Sequence, residues 1–414
     1  MNPLEEKNLI YDWAAQGPRR AQWPSHVMID DETLRDGLQS PSVTDPPVET
    51  KLQILHLMES LAIETADVGL PGAGARQQEA VLLLCREIAK YRMRIRANCA
   101  ARTLMVDIRP IAEVTQLTGV PIEACLFIGS SPIRQYAEEW ELDDILRHTR
   151  EAISFAVREG LEVMYVTEDT IRSSPDHLRM LLTAAIESGA RRLCLCDTCG
   201  AATPEGVFNL VSWVKELLNT IGSTQIGIDW HGHRDRGLDL SNTLAAIEAG
   251  ASRVHGTALG IGERVGNTPI EQLLVNLKLL RIRNDDLTRL PEYVQLVSQV
   301  TQVPIAVNTP IVGSDAFRTA TGVHAAAVVK AQKKGHSWLA DRIYSGVPAG
   351  WIGRKQEIEI GPMSGNSNVQ YYLACRGLPV TAELTKRIMD EAKKSPRVLT
   401  DAEILDIVRS SSYS

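Results

Sequence analysis

His231-Gly232-His233 sets two imidazoles two residues apart. Residues at that spacing on a strand point the same way, so both rings could reach one cation. Asp229 precedes them on the same face, while Ile226 and Ile228 alternate with it. The histidines therefore belong to a polar strand face and not to an apolar core. An H-x-H pair alone is a weak sign of a metal. Two other polar clusters stand with it. Residues 30–39, DDETLRDGLQ, close a β-rich run with acids, an arginine and an amide. The plain alternative for them is a solvated loop of local ion pairs. Residues 260–267, GIGERVGN, follow another such run. Their glycines are too widely set for a dinucleotide fingerprint, and no helix with an acid about 20 residues on follows.

These clusters need a scaffold that joins distant parts of the chain. Eight β-rich runs begin at residues 26, 64, 94, 122, 162, 191, 226 and 252, and helical patterns such as 48–62, 143–160 and 240–251 lie between them. Gly160, Gly189 and Gly250 stand where helices should close before the next strand. Strict alternation predicts a parallel sheet, and eight repeats predict a (β/α)8 TIM barrel. A doubly wound open sheet is the alternative, because periodicity alone does not show closure. In a closed barrel the first, seventh and eighth strands are neighbours. Asp36, His231, His233 and Asn267 then converge into a set that suits Zn²⁺, Mn²⁺ or Mg²⁺, with positions left open for substrate.

Residues 1–25 read as a polar N-terminal arm, 26–283 as the barrel, and 284–414 as a C-terminal, mainly helical subdomain. Helices are expected over 290–304, 314–335, 380–395 and 400–411, around a Gly/Pro-rich stretch at 345–369. This tail is too short for a further regulatory domain of the usual size. The 414 residues carry a net charge of −7, which argues against nucleic acid as the default partner. The N-terminus has acids where a signal peptide carries bases, and no apolar run approaches a membrane span, so a cytoplasmic protein is expected. Seven cysteines in so long a chain do not suggest a disulfide framework. Cys194, Cys196 and Cys199 read as strand residues, because no second cluster completes a tetrahedral site.

TLRDGLQ, EDTIRS, DTCG, HGHRD and GIGERVGN, in that order, resemble the DRE-TIM metallolyase superfamily, within it the 2-isopropylmalate synthase and homocitrate synthase group. The resemblance covers roughly residues 26–370. It implies condensation of an acyl-CoA, usually acetyl-CoA, with a 2-oxo acid on a divalent metal. Asp36, His231, His233 and Asn267 match the metal ligands. Arg35 matches an arginine on the substrate oxygen, and Arg35, Gln39 and Thr198 are assigned to substrate binding. Glu168, His324 and Tyr344 match the proton-transfer set. His324 and Tyr344 are implied to reach the active site of a partner subunit, hence a homodimer. Read from the residues alone, His324 is a packing histidine on an apolar helix, and Thr198 is a strand-end cap.

The chain also departs from the family pattern. Leu38 stands where most synthases carry Glu, Arg234 replaces an asparagine, Val166 stands where serine is common, and Ala325 follows His324 where an acid is usual. The leading expectation is a Claisen-type acyltransferase, with 2-oxoisovalerate as first choice of acceptor and homocitrate or citramalate formation behind it. A lyase running the reverse cleavage, motivated by Leu38, and a non-catalytic barrel are the competitors.

Overall fold

The computed structural model describes residues 9–16 and 22–411. Eight strands close a barrel: β1 (Met28–Asp31), β2 (Thr65–Asp67), β3 (Arg96–Arg102), β4 (Ile122–Gly129), β5 (Glu162–Glu168), β6 (Arg192–Asp197), β7 (Gly227–Gly232) and β8 (Arg253–Gly256). β1 and β8 pair in parallel, from Met28 opposite Arg253 to Asp31 opposite Gly256. An open doubly wound sheet would lack that pairing, so the fold is the (β/α)8 barrel.

The outer layer consists of α1 (Val48–Ser60), α2 (Ala75–Tyr91), α3 (Met105–Thr118), α4 (Pro132–Glu138), α5 (Leu142–Arg158), α6 (Pro175–Ser188), α7 (Pro204–Thr220), α8 (Asp239–Ala249), α9 (Ile270–Leu279) and α10 (Leu290–Thr301). Pro132, Pro175 and Pro204 each open a helix behind a Ser or Thr cap, where a missing N–H costs nothing. Strand side chains alternate between the two faces of the wall. On β5, Tyr165 is fully buried and its hydroxyl lies 2.9 Å from Thr149 on α5. Its neighbours Met164, Val166 and Glu168 line a central cavity. On β7 the same alternation sends Trp230 to the helices and Asp229 and His231 into the barrel.

The chain divides into two compact units between Pro304 and Ile305, and described residues 9–16 group with the second. The sequence places this boundary at 283/284. α10 shifts it, because its Tyr293 donates to Asp31 Oδ2 (2.5 Å) at the end of β1 and is itself fully buried. Part of the expected N-terminal arm, residues 1–8 and 17–21, lies outside the described residues.

The second unit holds α11 (Gly322–Lys333), α12 (Ser337–Arg342), α13 (Asn366–Cys375), α14 (Ala382–Lys394) and α15 (Asp401–Ser411). The expected helix over 314–335 begins only at Gly322. Arg318–Thr319 instead forms β9 and pairs with β10 (Glu357–Ile358). Val369, Leu373, Leu384, Ile388 and Ile404 make one apolar core of this unit, and Ala325, Val328, Ala331 and Ile358 make another. Among the described residues, no helix is long and apolar enough to cross a membrane.

Candidate active site at the carboxyl end of the barrel

His231 is the penultimate residue of β7, and His233 pairs with Asn267 in an isolated bridge just beyond the strand. His231 Nε2 lies 3.2 Å from His233 Nε2, and Asp36 Oδ2 lies 3.8 and 3.9 Å from these two nitrogens. All three side chains are buried and can offer their ligand atoms to one cation. Glu32 Oε2 takes the Nδ1–H of His231 at 2.7 Å, which turns the Nε2 lone pair toward the other two. Burial, together with neighbouring His231, lowers the pKa of His233 to about 4, so it is neutral as a ligand must be. Burial works to raise the Asp36 carboxyl, but Arg35 and His231 outweigh it and hold Asp36 below the usual range. Asn267 joins the set by donating Nδ2–H to Asp36 Oδ1 (3.1 Å) and Ile261 O (3.2 Å). Its Oδ1 is buried without a hydrogen-bond partner, an acceptor that a cation would satisfy. The donor set therefore fits a divalent ion.

The spacing of GIGERVGN is a packing device. Gly262 has φ +149°, and a Cβ there would strike the Asn267 amide and crowd Asp36. Gly266, at φ +102°, leaves no room against the Gly260 carbonyl. The loop can thus press Asn267 onto Asp36.

Arg35 fans across the same floor. Its Nε donates to Asp67 Oδ2 (2.6 Å), Nη1 to Asp36 (3.1 Å) and Gln39 (3.3 Å), and Nη2 to Glu32 (3.0 Å). A guanidinium has five N–H groups, so one is left over. Glu168 faces the cavity, and burial raises its pKa. The Thr198 hydroxyl accepts the Asp169 N–H at 2.8 Å, which leaves its own proton to donate. These residues line a cavity of about 340 Å³. Its opposite wall is apolar and rich in sulfur: Leu70, Ala100, Cys125, Phe127, Met164, Val166, Cys194 and Cys196. Val166 is thus part of the lining, whereas Leu38 and Arg234 are not.

A family model described as HMGL-like matches residues 26–297. The chain belongs to that family, the DRE-TIM metallolyases. It is 30% identical over 382 residues to the 2-isopropylmalate synthase of Methanocaldococcus jannaschii, covering 91% of this chain and 69% of that protein. It is 30% identical over 404 residues to the homocitrate synthase AksA of Methanopyrus kandleri, covering 96% and 95%. The crystal structure of hydroxymethylglutaryl-CoA lyase from Pseudomonas aeruginosa superposes with a TM-score of 0.57 at 19% identity, covering 67% of this chain and 94% of that one.

In this DRE-TIM metallolyase the structure brings Arg35, Asp36, Gln39, Glu168, Thr198, His231 and His233 to one cavity, with Asn267 against Asp36. His324 and Tyr344 lie in the second unit, where their rings stack with centroids 4.1 Å apart. Sequence reasoning missed Glu32, Asp67 and His255 as members of the site. Alternation could have found His255: with Arg253 it brackets Val254, so strand β8 also presents a polar face inward.

Proposed function

We propose that this protein condenses acetyl-CoA with a 2-oxo acid and water to give a 2-alkylmalate and free CoA. The first choice of acceptor is 2-oxoisovalerate, giving 2-isopropylmalate. The observation that carries this reading is a cavity with two unlike walls. One holds the Asp36–His231–His233 set with Arg35, matched to a carboxylate and a keto oxygen. The other is apolar and matched to an alkyl side chain. Both guanidiniums in the lining are engaged, Arg35 as above and Arg264 by Asp235 (2.8 Å) and the Thr198 carbonyl (2.6 Å). An acceptor with a second carboxylate, as homocitrate formation needs, would meet no free cation on the apolar wall. Pyruvate, the acceptor for citramalate, would fill only part of it. The relatives named above support the reaction class. The lyase alternative rests on Leu38, which lies outside the cavity lining.

A bound Mg²⁺, Mn²⁺ or Zn²⁺ would be held by Asp36, His231, His233 and Asn267 and would polarise the acceptor carbonyl. Thr198 and Gln39 hold the acceptor carboxylate. The remaining N–H of Arg35 meets the keto oxygen as negative charge develops there. A base removes a proton from the acetyl methyl, the resulting carbanion attacks the keto carbon, and the alkoxide takes up a proton. Water then cleaves the thioester, releasing CoA. Glu168 is the base in this reading: burial raises its pKa, which suits proton transfer, whereas Asp67, also raised, is held by Arg35. His324 and Tyr344 complete the proton-transfer set by reaching the barrel of a partner subunit in a homodimer.

The test is free-thiol release from acetyl-CoA with a panel of 2-oxo acids and each of the three ions. Release fastest with branched or longer alkyl acceptors is expected. No release with any acceptor would remove the proposal.

A further inference from the structure

A line of buried charged groups runs down the barrel from the ligand set. Asp229 accepts from Arg192 Nε (2.6 Å), Arg253 Nε (2.5 Å) and His255 Nε2 (3.0 Å). His255 Nδ1 lies 3.1 Å from Glu32 Oε1, and Glu32 Oε2 holds His231 Nδ1. Asp229 is fully buried, and Glu32 and His255 are nearly so.

Both ring nitrogens of His255 face carboxylate oxygens, so both carry hydrogens and the ring is a cation. Glu32 is then gripped on one oxygen by His255 and Arg35, and its other oxygen is left in one orientation, toward His231. Around Arg35 stand three carboxylates, Glu32, Asp36 and Asp67.

We propose that His255, anchored by Asp229, is a positioning residue for the metal ligand His231 and acts on it through Glu32. The inference rests on reading Asp36, His231 and His233 as a metal site. It goes beyond that reading by making the ion's affinity depend on a side chain that does not ligate it. Outer partners of metal-bound histidines typically change affinity by about 10- to 100-fold.

The experiment measures Mn²⁺ affinity by electron paramagnetic resonance, and the visible spectrum of the Co²⁺-loaded protein, for the whole chain. His255→Gln is expected to weaken Mn²⁺ binding by about 10- to 100-fold and to shift the Co²⁺ bands. Glu32→Gln is expected to do the same, and the double variant to bind no more weakly than Glu32→Gln alone. That non-additivity would not follow from a merely structural role for His255. Should His255→Gln fail to fold, Asp229→Asn, which keeps volume, is expected to weaken Mn²⁺ binding in the same direction.

Wild-type Mn²⁺ affinity in folded His255→Gln, or in folded Asp229→Asn, overturns the inference. Additive losses in the double variant also overturn it. If His233→Ala abolishes binding while His255→Gln keeps it, only the inference fails. If the wild type binds no ion, the underlying reading fails as well. Loss of one of two bound ions in His255→Gln would show Glu32, His231 and His255 to be ligands of a second metal, which also overturns the positioning role.

Discussion

His233 can ligate a cation only as a neutral imidazole, and burial beside His231 keeps it neutral down to about pH 4. Its Nε2 is the atom that faces His231 and Asp36. His233→Ala is expected to abolish metal binding and turnover together. Equilibrium dialysis with metal analysis, run beside the thiol-release assay, checks this. Metal-dependent turnover in the variant would show that the ligand set is wrong. Cys194 and Cys196 carry a different lesson. They sit at metal-ligand spacing, yet with Cys125, Met164 and Val166 they form an inward apolar cluster, and burial raises the pKa of Cys194. A buried thiol kept protonated is a packing group.

At the scale of elements, α10 fixes the end of β1 from which the DETLRD segment departs. The Tyr293 hydroxyl donates to Asp31, and Thr33 Oγ1 and N–H also bind that carboxyl. Burial lifts the Asp31 pKa to about 6 against those donors, so each of them matters. Tyr293→Phe is expected to cost about 1.5–3 kcal/mol, the range for a hydrogen bond to a charged group. Urea unfolding reads this as a lowered midpoint at unchanged slope. An unchanged midpoint would mean that apolar packing of α10 suffices. The glycine loop after β8 works in the same way, since Gly262 and Gly266 permit a close approach that no side chain would allow.

For the whole molecule, the proposed sharing of His324 between subunits can be tested by mixing. His324→Ala and His233→Ala are each expected to be inactive. Random reassortment into dimers restores one intact site in half of them, so activity should return to about a quarter of wild type. No recovery after proven subunit exchange would place His324 in its own chain's site or in none. The pH dependence of stability offers a second whole-molecule test. Glu271, in the first turn of α9, accepts the Leu259 N–H at 3.0 Å, and its other oxygen has no hydrogen-bond partner. Burial raises its pKa to about 7, against roughly 4.3 in an unfolded chain. Between those values the native state holds a proton that the unfolded state has lost, so stability falls as pH rises through the window. Glu271→Gln is expected to gain up to about 3 kcal/mol near pH 8 and almost nothing near pH 4. Thermal melts at both pH values check the sign.

The local order of residues determined a good deal. Eight strand–helix repeats were legible because each repeat carries its own periodicity and caps. The shared face of Asp229, His231 and His233 was legible because strand alternation is a nearest-neighbour property. Closure was legible only through the count of eight and not through periodicity, because β1 meets β8 through backbone hydrogen bonds between segments with no local signature of each other. The join of α10 to the barrel, the fan of Arg35 onto Asp67, and the Glu32–His255 contact across 223 residues were likewise decided only by the tertiary structure. Each depends on which side chain stands across the lumen, and spacing along one strand carries no information about its opposite wall.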